Sequence, residues 1–352
     1  MKKGDIERYG SLANHRGFLG LSPKKGPRAP FPCSAKAVFA KQARGLAKRL
    51  GCIGCRDVLV GLSGGLDSAL ALLVSVEAFR LLKLPLSGIH AVTMPCFGTS
   101  SRTRGNASLL CEGLGLKLEE IPIASAVRRH LKDIGHDGRT PDVTYENAQA
   151  RMRTLVLMDK ANMAGGIVVG TGDMSEIALG WCTFNGDHMS MFGVNSGVPK
   201  TIVRKVCTWW AGENRRGARA KAAAAIMDIV ATPVSPELVK GQKTEDTIGP
   251  YELHDFFLWN FIVNEMSPAC LAKAAEAYFK GRFTRQQIAA TLRTFVTRLF
   301  TQSFKRNCQP DGVKVFSFDL SPYGWHLPTE LAPVREFVRQ VEALTRDGFD
   351  GD

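Results

Sequence analysis

The run Val58-Leu59-Val60-Gly61-Leu62 stops abruptly at Ser63-Gly64-Gly65-Leu66-Asp67-Ser68, and an apolar stretch from Ala69 to Leu82 follows at once. A short apolar run closed by glycines reads as a buried strand, and the longer stretch behind it reads as a helix. Strand, glycine turn and helix together form the first part of a parallel βαβ unit. The rhythm continues along the chain. Gly88–Met94, Leu116–Ile123 and Ile167–Gly170 are further strand candidates, separated by helical stretches at Asn106–Gly113 and Asn147–Ala164. Upstream, Phe39, Ala43, Leu46 and Leu50 stand at helical spacing within Ser34–Leu50. The expected fold class is α/β, a doubly wound parallel sheet with helices on both faces and ligands at the carboxyl ends of the strands. From Glu252 to Thr301 the pattern becomes helical and rich in aromatics (Phe256, Phe257, Trp259, Phe261, Phe283, Phe300), so a helical C-terminal part is expected to pack onto the sheet, with Lys305–Pro328 loop-like. The expected divisions are a basic flexible arm at 1–33, the α/β domain at 34–330 and a C-terminal helix or tail at 331–352.

Charge matters because of where it lies. Residues 1–56 hold 13 Lys/Arg against 2 Asp/Glu, a net +11, while the remaining 33 basic and 31 acidic residues leave the body at +2. The basicity belongs to an arm rich in Gly, Pro and Lys, which reads as a solvated tail more readily than as a nucleic-acid surface. An acid-poor basic start is also a feature of transit peptides, but this one is only weakly amphipathic. No run of about 18 apolar residues is present, so a membrane span is not expected. Nine scattered cysteines suit a reducing compartment, and the expected location is cytoplasmic. Cys52-Ile53-Gly54-Cys55 has no second pair to close a zinc site and reads as a loop with two buried thiols.

The residues that carry chemistry cluster at the predicted strand ends. In the 61–68 loop, two glycines let backbone N–H groups approach an anion, and the helix behind offers its positive end. Ser63 and Ser68 add hydroxyls; Asp67 would repel a phosphate unless a cation lay between, which points to Mg²⁺. A strand–loop–helix S-G-G-x-D-S of this kind is the signature of ATP pyrophosphatases, and neither a Walker A nor a G-x-G-x-x-G loop fits the residues. Gly170-Thr171-Gly172-Asp173-Met174-Ser175-Glu176 ends the next strand and brings Glu176 onto the first turn of a helix, where Glu176 and Asp67 could share one Mg²⁺. Gly180-Trp181-Cys182-Thr183-Phe184-Asn185-Gly186-Asp187-His188-Met189 supplies aromatic surfaces for a ring and, in Asp187, a carboxylate for ammonium or for orienting a nucleophile; core packing and a turn aspartate are the plain alternatives. Asn147 and Arg151 share one helical face, and Lys200 opens another helix from which it could reach a pyrophosphate.

Taken together, residues 61–68, 144–153, 170–200, 242–255 and 304–315 resemble the synthetase domain of glutamine-dependent NAD synthetases, over roughly 34–328. Pro95-Cys96-Phe97-Gly98-Thr99-Ser100 with Arg102-Thr103, and Gly249-Pro250-Tyr251-Glu252-Leu253-His254-Asp255-Phe256-Phe257, are similar to further stretches of that family. The resemblance implies an ATP-pyrophosphatase fold of the adenine nucleotide alpha hydrolase kind. It also implies a ligase reaction: ATP and Mg²⁺ adenylate deamido-NAD, and ammonia then gives NAD, AMP and pyrophosphate. It places Gly61, Leu62, Ser63, Gly64, Gly65, Leu66, Asp67, Ser68 and Thr171 at ATP, with Asp67 and Glu176 as metal ligands. Asn147, Glu176, Trp181, Cys182, Thr183, Phe184 and Lys305 then fall at deamido-NAD, with Asp187 and Lys200 as the catalytic pair for ammonia and pyrophosphate. It further implies a homodimer or larger homo-oligomer.

Three departures stand out. The family's N-terminal glutaminase domain has no counterpart in the residues before the resemblance, so free ammonia or a separate glutaminase chain is the expected nitrogen source. The segment between Glu237 and Gln242 is short for a lid, and Ser321-Pro322-Tyr323-Gly324-Trp325-His326 lacks the family's Arg and Asp. Two other functions fit the loop: an RNA-modifying pyrophosphatase of the same fold, disfavoured by the near-neutral body, and a non-catalytic nucleotide-binding scaffold, disfavoured by the intact Ser63, Asp67 and Glu176.

Overall fold

A computed structural model describes residues 30–322 other than 234, 236, 237 and 239–243, together with 324, 325 and 334–347. The basic arm before residue 30, the short segment around Gln242, Tyr323 and His326 lie outside the described residues.

Five parallel strands form one sheet in the order β3-β2-β1-β4-β5, with β1 Val58–Gly61, β2 Ile89–Thr93, β3 Leu118–Glu120, β4 Ile167–Gly170 and β5 Phe192–Gly193. In β1, Val58 and Val60 join the large core on one face while Leu59 packs into a smaller one on the other. A strand apolar on both sides has to be covered on both, and that is why this short run holds the centre of the sheet. Its crossover, α2 (Leu66–Leu82), is buried along most of its length. On that face it meets α1 (Ala35–Ile53) and α7 (Lys200–Glu213), and α5 (Val143–Ala164) covers the opposite side of β1 and β4. α3 (Ser101–Leu114) and α4 (Ala124–Asp133) flank the β2–β3 edge, and α8 (Ala220–Ala231) packs on α3. β1 leads to β2 on one side and is joined by β4 on the other, so the order reverses between β1 and β4. A crevice at the carboxyl ends of those two strands is where such sheets bind ligands.

The helical part begins with α9 (Thr244–Ile248) and α10 (Tyr251–Ile262). It continues with α11 (Pro268–Phe279), α12 (Arg285–Thr301), α13 (Ser303–Asn307) and α14 (Val334–Asp347). Its aromatics (Phe256, Phe257, Phe261, Phe295, Phe300) are continuous with the sheet-side core rather than separate from it. α6 (Met174–Leu179), one short turn beyond β4, touches both α10 and α12. The stretch expected as loop from Lys305 begins inside the helical turn α13. Cys52 also departs from expectation: it is an exposed residue of the last turn of α1, where a buried thiol was expected, and only Cys55 is half-buried.

Candidate active site

The glycine loop has one position that only glycine tolerates. Gly64 sits at φ +80, and a Cβ there would collide with the Thr103 carbonyl at the start of α3. The close approach lets the chain reverse from β1 into α2 without lifting the loop off the sheet. Ser63 Oγ accepts from Gly65 N at 3.1 Å and lies 3.1 Å from Ser68 Oγ, so both hydroxyls brace the loop. The N-cap of α2, Gly65, makes no side-chain capping bond, which leaves the first-turn N–H groups and the positive helix end open to an anion. Gly64→Ala is expected to cost about 1–3 kcal/mol from the left-handed backbone alone, with additional loss from the collision, read as a lowered denaturation midpoint.

Across from the loop, Asp173 caps α6. Its Oδ1 accepts from Glu176 N at 2.8 Å, and Glu176 Oε2 accepts from Asp173 N at 3.4 Å, a reciprocal capping box. Asp67, Asp173 and Glu176 thereby present carboxylate oxygens within 4.8 Å of one another. Into this group reaches Lys200, 2% exposed, with Nζ at 2.6 Å from Asp67 Oδ2 and 2.8 Å from Glu176 Oε1. It is also 2.8 Å from Asp173 Oδ2, an ion contact without hydrogen-bond alignment. Lys200, expected to reach a pyrophosphate, thus lies beneath the cleft floor instead of on it.

One ammonium faces three carboxylates, and the charge balance decides the protonation. Burial works against the charged lysine, but the attraction of Asp173, Asp67 and Glu176 outweighs it and holds Lys200 well above the usual lysine range. Burial pushes Asp173 well up and Glu176 to about 7, because one cation cannot satisfy all three anions. Asp67 Oδ1 is buried and has no hydrogen-bond partner among the described residues. A carboxylate oxygen left over and an excess of negative charge suit a divalent cation, which takes one or two carboxylates and completes its shell with phosphate oxygens.

A main cleft of about 770 Å³ opens above this group. All of Gly61 to Ser68, Asn147, Thr171, Glu176, Trp181, Cys182, Thr183, Phe184, Asp187 and Lys305 line it. Of the residues expected at ATP, deamido-NAD, the metal and the reacting groups, only Lys200 is absent from its lining. A smaller side cavity shares Glu176, Cys182, Asp187 and Lys305 with the cleft. Thr183 joins two walls: its hydroxyl donates to Asn147 Oδ1 at 2.7 Å and its N–H to Asp187 Oδ1 at 2.8 Å. Arg151, on the same helical face as Asn147, donates to the Phe184 carbonyl at 3.2 Å, so that face anchors the loop as well as lining the cleft. Lys305 donates to the Gly180 and Cys182 carbonyls at 2.8 and 2.6 Å, and burial lowers its pKa. Burial pushes the Asp187 carboxyl up, and the bond from Thr183 N works against that push, while the residue keeps exposed surface at the cleft. His188 Nε2 donates to the Lys305 carbonyl at 2.7 Å and burial lowers its pKa, so it is a neutral structural histidine. Arg298 stacks over Trp181 at 5.0 Å, and Phe184 meets His188 and Phe304 at 5.3 and 5.4 Å, giving the cleft an aromatic wall.

Sequence reasoning missed residues that position this site, Asp173 and Asn195 among them. Asp173 carried a readable signal, an acidic N-cap three residues before a glutamate. Asn195 carried none: its Nδ2 donates to the Asp67 and Thr171 carbonyls at 2.9 and 3.0 Å, tying the two strand-end loops, and its Oδ1 is held by Gln42 at 2.9 Å.

A glycine loop on the central strand of a doubly wound parallel sheet, with an open helix end beside a carboxylate cluster, is the arrangement of the ATP-pyrophosphatase fold. A sequence profile of the NAD synthase family matches residues 38–282. The glutamine-dependent NAD(+) synthetase of Mycobacterium leprae is 36% identical over 331 residues, 86% of this chain and 48% of that protein. That of Thermotoga maritima is 30% identical over 291 residues, 78% of this chain and 48% of that protein. The chain thus spans about half the length of the curated relatives it matches. Among solved structures, the glutamine-dependent NAD(+) synthetase of Cytophaga hutchinsonii superposes with a TM-score of 0.71 at 18% identity, over 87% of this chain and 55% of that one. The NH3-dependent NAD synthetase of Campylobacter jejuni gives 0.52 at 21% identity, over 72% of this chain and 98% of that one. Both likenesses concern the fold. The chain belongs to the NAD synthase family.

Proposed function

We propose that this chain is an amide-forming ligase that adenylates the carboxylate of deamido-NAD with ATP and then replaces AMP by ammonia, giving NAD. The observation that carries this reading is one cleft lined by the uncapped start of α2 with its Asp67, by Glu176, and by Trp181, Phe184 and Asp187, with Lys200 buried beneath and bonded to both Asp67 and Glu176. A carboxylate is a poor acyl donor. Attack of its oxygen on the α-phosphorus of ATP expels pyrophosphate and leaves an acyl adenylate with a good leaving group. The α2 N–H groups and the 61–65 backbone bind the phosphates, and Lys200 fixes the Asp67 and Glu176 carboxylates. Asp67 and Glu176 are the residues suited to hold Mg²⁺, which when bound neutralises phosphate charge. Trp181 and Phe184 offer stacking surfaces for the pyridine ring. Asp187, beside Cys182 and Lys305, is suited to accept a proton from ammonium, so that neutral ammonia attacks the acyl carbon and AMP departs.

The test supplies the purified chain with ATP, Mg²⁺, ammonium and deamido-NAD and follows AMP and NAD. Stoichiometric formation of both is expected; AMP release without NAD, or no reaction, would count against the assignment. A pH dependence follows from Glu176, whose carboxyl is pushed up to about 7. Protons compete with Mg²⁺ below that value, so the Mg²⁺ concentration giving half-maximal rate is expected to fall between about pH 6 and about pH 8 and then level off. A Mg²⁺ requirement that does not change across that range would remove Glu176 from the metal site.

A further inference from the structure

Asp255 sits on α10, fully buried, and lines neither cavity. Its Oδ2 accepts from Thr201 N at 2.9 Å and from Thr201 Oγ1 at 2.6 Å, and its Oδ1 accepts from Ser175 Oγ. Ser175 Oγ in turn accepts from Lys200 N at 2.9 Å. These bonds solve a local problem. α7 begins at Lys200 behind Pro199, which makes no side-chain capping bond, so the first-turn donors Lys200 N and Thr201 N have no partner in their own helix. The caps come instead from two other helices: Ser175 on α6 and Asp255 on α10. Ser175 is the residue before Glu176, and Thr201 is the residue after Lys200. One carboxylate therefore holds the first turns of the two helices whose side chains meet at 2.8 Å beneath the cleft.

The same helix supports the other end of the lysine. Tyr251, one turn before Asp255, places its ring 5.3 Å from Lys200 Nζ. A buried carboxylate is an expensive way merely to join helices, since apolar contacts do that without desolvating a charge. What it adds is direction, because each accepted bond fixes where one backbone or hydroxyl donor points.

We propose that Asp255 is a positioning residue that acts through Ser175 and Thr201 to fix the separation of Lys200 and Glu176, an inference that rests on the reading of the cleft given above. Asp255→Asn, Thr201→Val and Thr201→Ser are compared in the full chain. Asp255→Asn and Thr201→Val are expected to lower kcat by about 10–100-fold, as loss of a supporting partner does at metal and phosphate sites. KM for deamido-NAD should change by less than about threefold, since no substrate-lining residue is altered. Thr201→Ser keeps the hydroxyl bond and is expected to return kcat to within about threefold of the parent. Thr201→Val removes a single hydroxyl bond, so it carries the test should Asp255→Asn fail to fold. Lower thermal midpoints with kcat per folded molecule unchanged would make the cluster a purely structural cap and overturn the proposal, as would a serine variant no better than valine. ATP–Mg²⁺ affinity is measured in parallel by calorimetry. If the parent chain makes no NAD, the functional reading has failed separately, and the positioning role is judged on affinity: about tenfold weaker binding by Thr201→Val supports it, and unchanged binding overturns it.

Discussion

Asp67→Asn is expected to lower ammonia-driven NAD formation by about 10²–10³-fold, corresponding to about 3–4 kcal/mol of lost transition-state stabilisation. The substitution keeps the size and shape of the side chain but removes its negative charge. Oδ2 is the oxygen bonded to Lys200 at 2.6 Å, while Oδ1 is buried and has no hydrogen-bond partner among the described residues. In the variant the position of Oδ1 can hold an amide nitrogen, which cannot ligate a cation, and the ammonium loses one of its three carboxylates. The fold should survive, because Glu176 and Asp173 still pair with Lys200. Initial rates over a Mg²⁺ series, with circular dichroism as the control for folding, provide the measurement. Near-parental turnover in a folded variant would falsify the assignment of Asp67 to the metal.

Lys200→Met is the variant expected to damage the molecule as a whole. Methionine fills nearly the same volume, so packing is largely preserved, but three carboxylates lose the one cation that pairs with them among the described residues. Removing one partner of a buried ion cluster typically costs about 3–5 kcal/mol, because the remaining charges stay desolvated. Lys200 is 2% exposed, so solvent screening offers little relief. Two consequences separate this variant from a simple packing defect. Its stability deficit should shrink as the pH falls, because the pKa values of Asp173 and Glu176 are already pushed up by burial and those groups become neutral. The deficit should also shrink with added Mg²⁺, if the cluster holds that ion. Urea denaturation across pH with and without Mg²⁺ reads both, and a deficit constant with pH would place the cost in packing instead of charge.

Much of the site could be read from residue order because its parts are local. The strand, the glycine turn and the start of α2 follow one another within residues 58–68, so the backbone constraint at Gly64 and the placement of Asp67 are written in adjacent residues. The same holds for Glu176, delivered by a capping box at the end of β4. β5 was not legible, since Phe192 and Gly193 are too few to form a period and pair only because β4 is already in place. Lys200 was found but misplaced. Its distance of 2.6 Å from Asp67 spans 133 positions of sequence, and nothing near Val198-Pro199-Lys200 indicates three carboxylates waiting for it. Asn195 and Asp255 escaped notice for the same reason, as their partners come from elements that meet only in the folded chain.

Trp181 lends the protein an optical handle. Of five tryptophans, Trp210, Trp259 and Trp325 are buried in the core and Trp209 packs against Phe39, while Trp181 alone borders the main cleft, its indole under the Arg298 guanidinium. On the function proposed above, a ring that stacks on that indole changes its surroundings, and the other four chromophores supply a steady background. Ligand arrival can therefore be watched by intrinsic fluorescence, without labels and without waiting for product, even in a variant that never turns over.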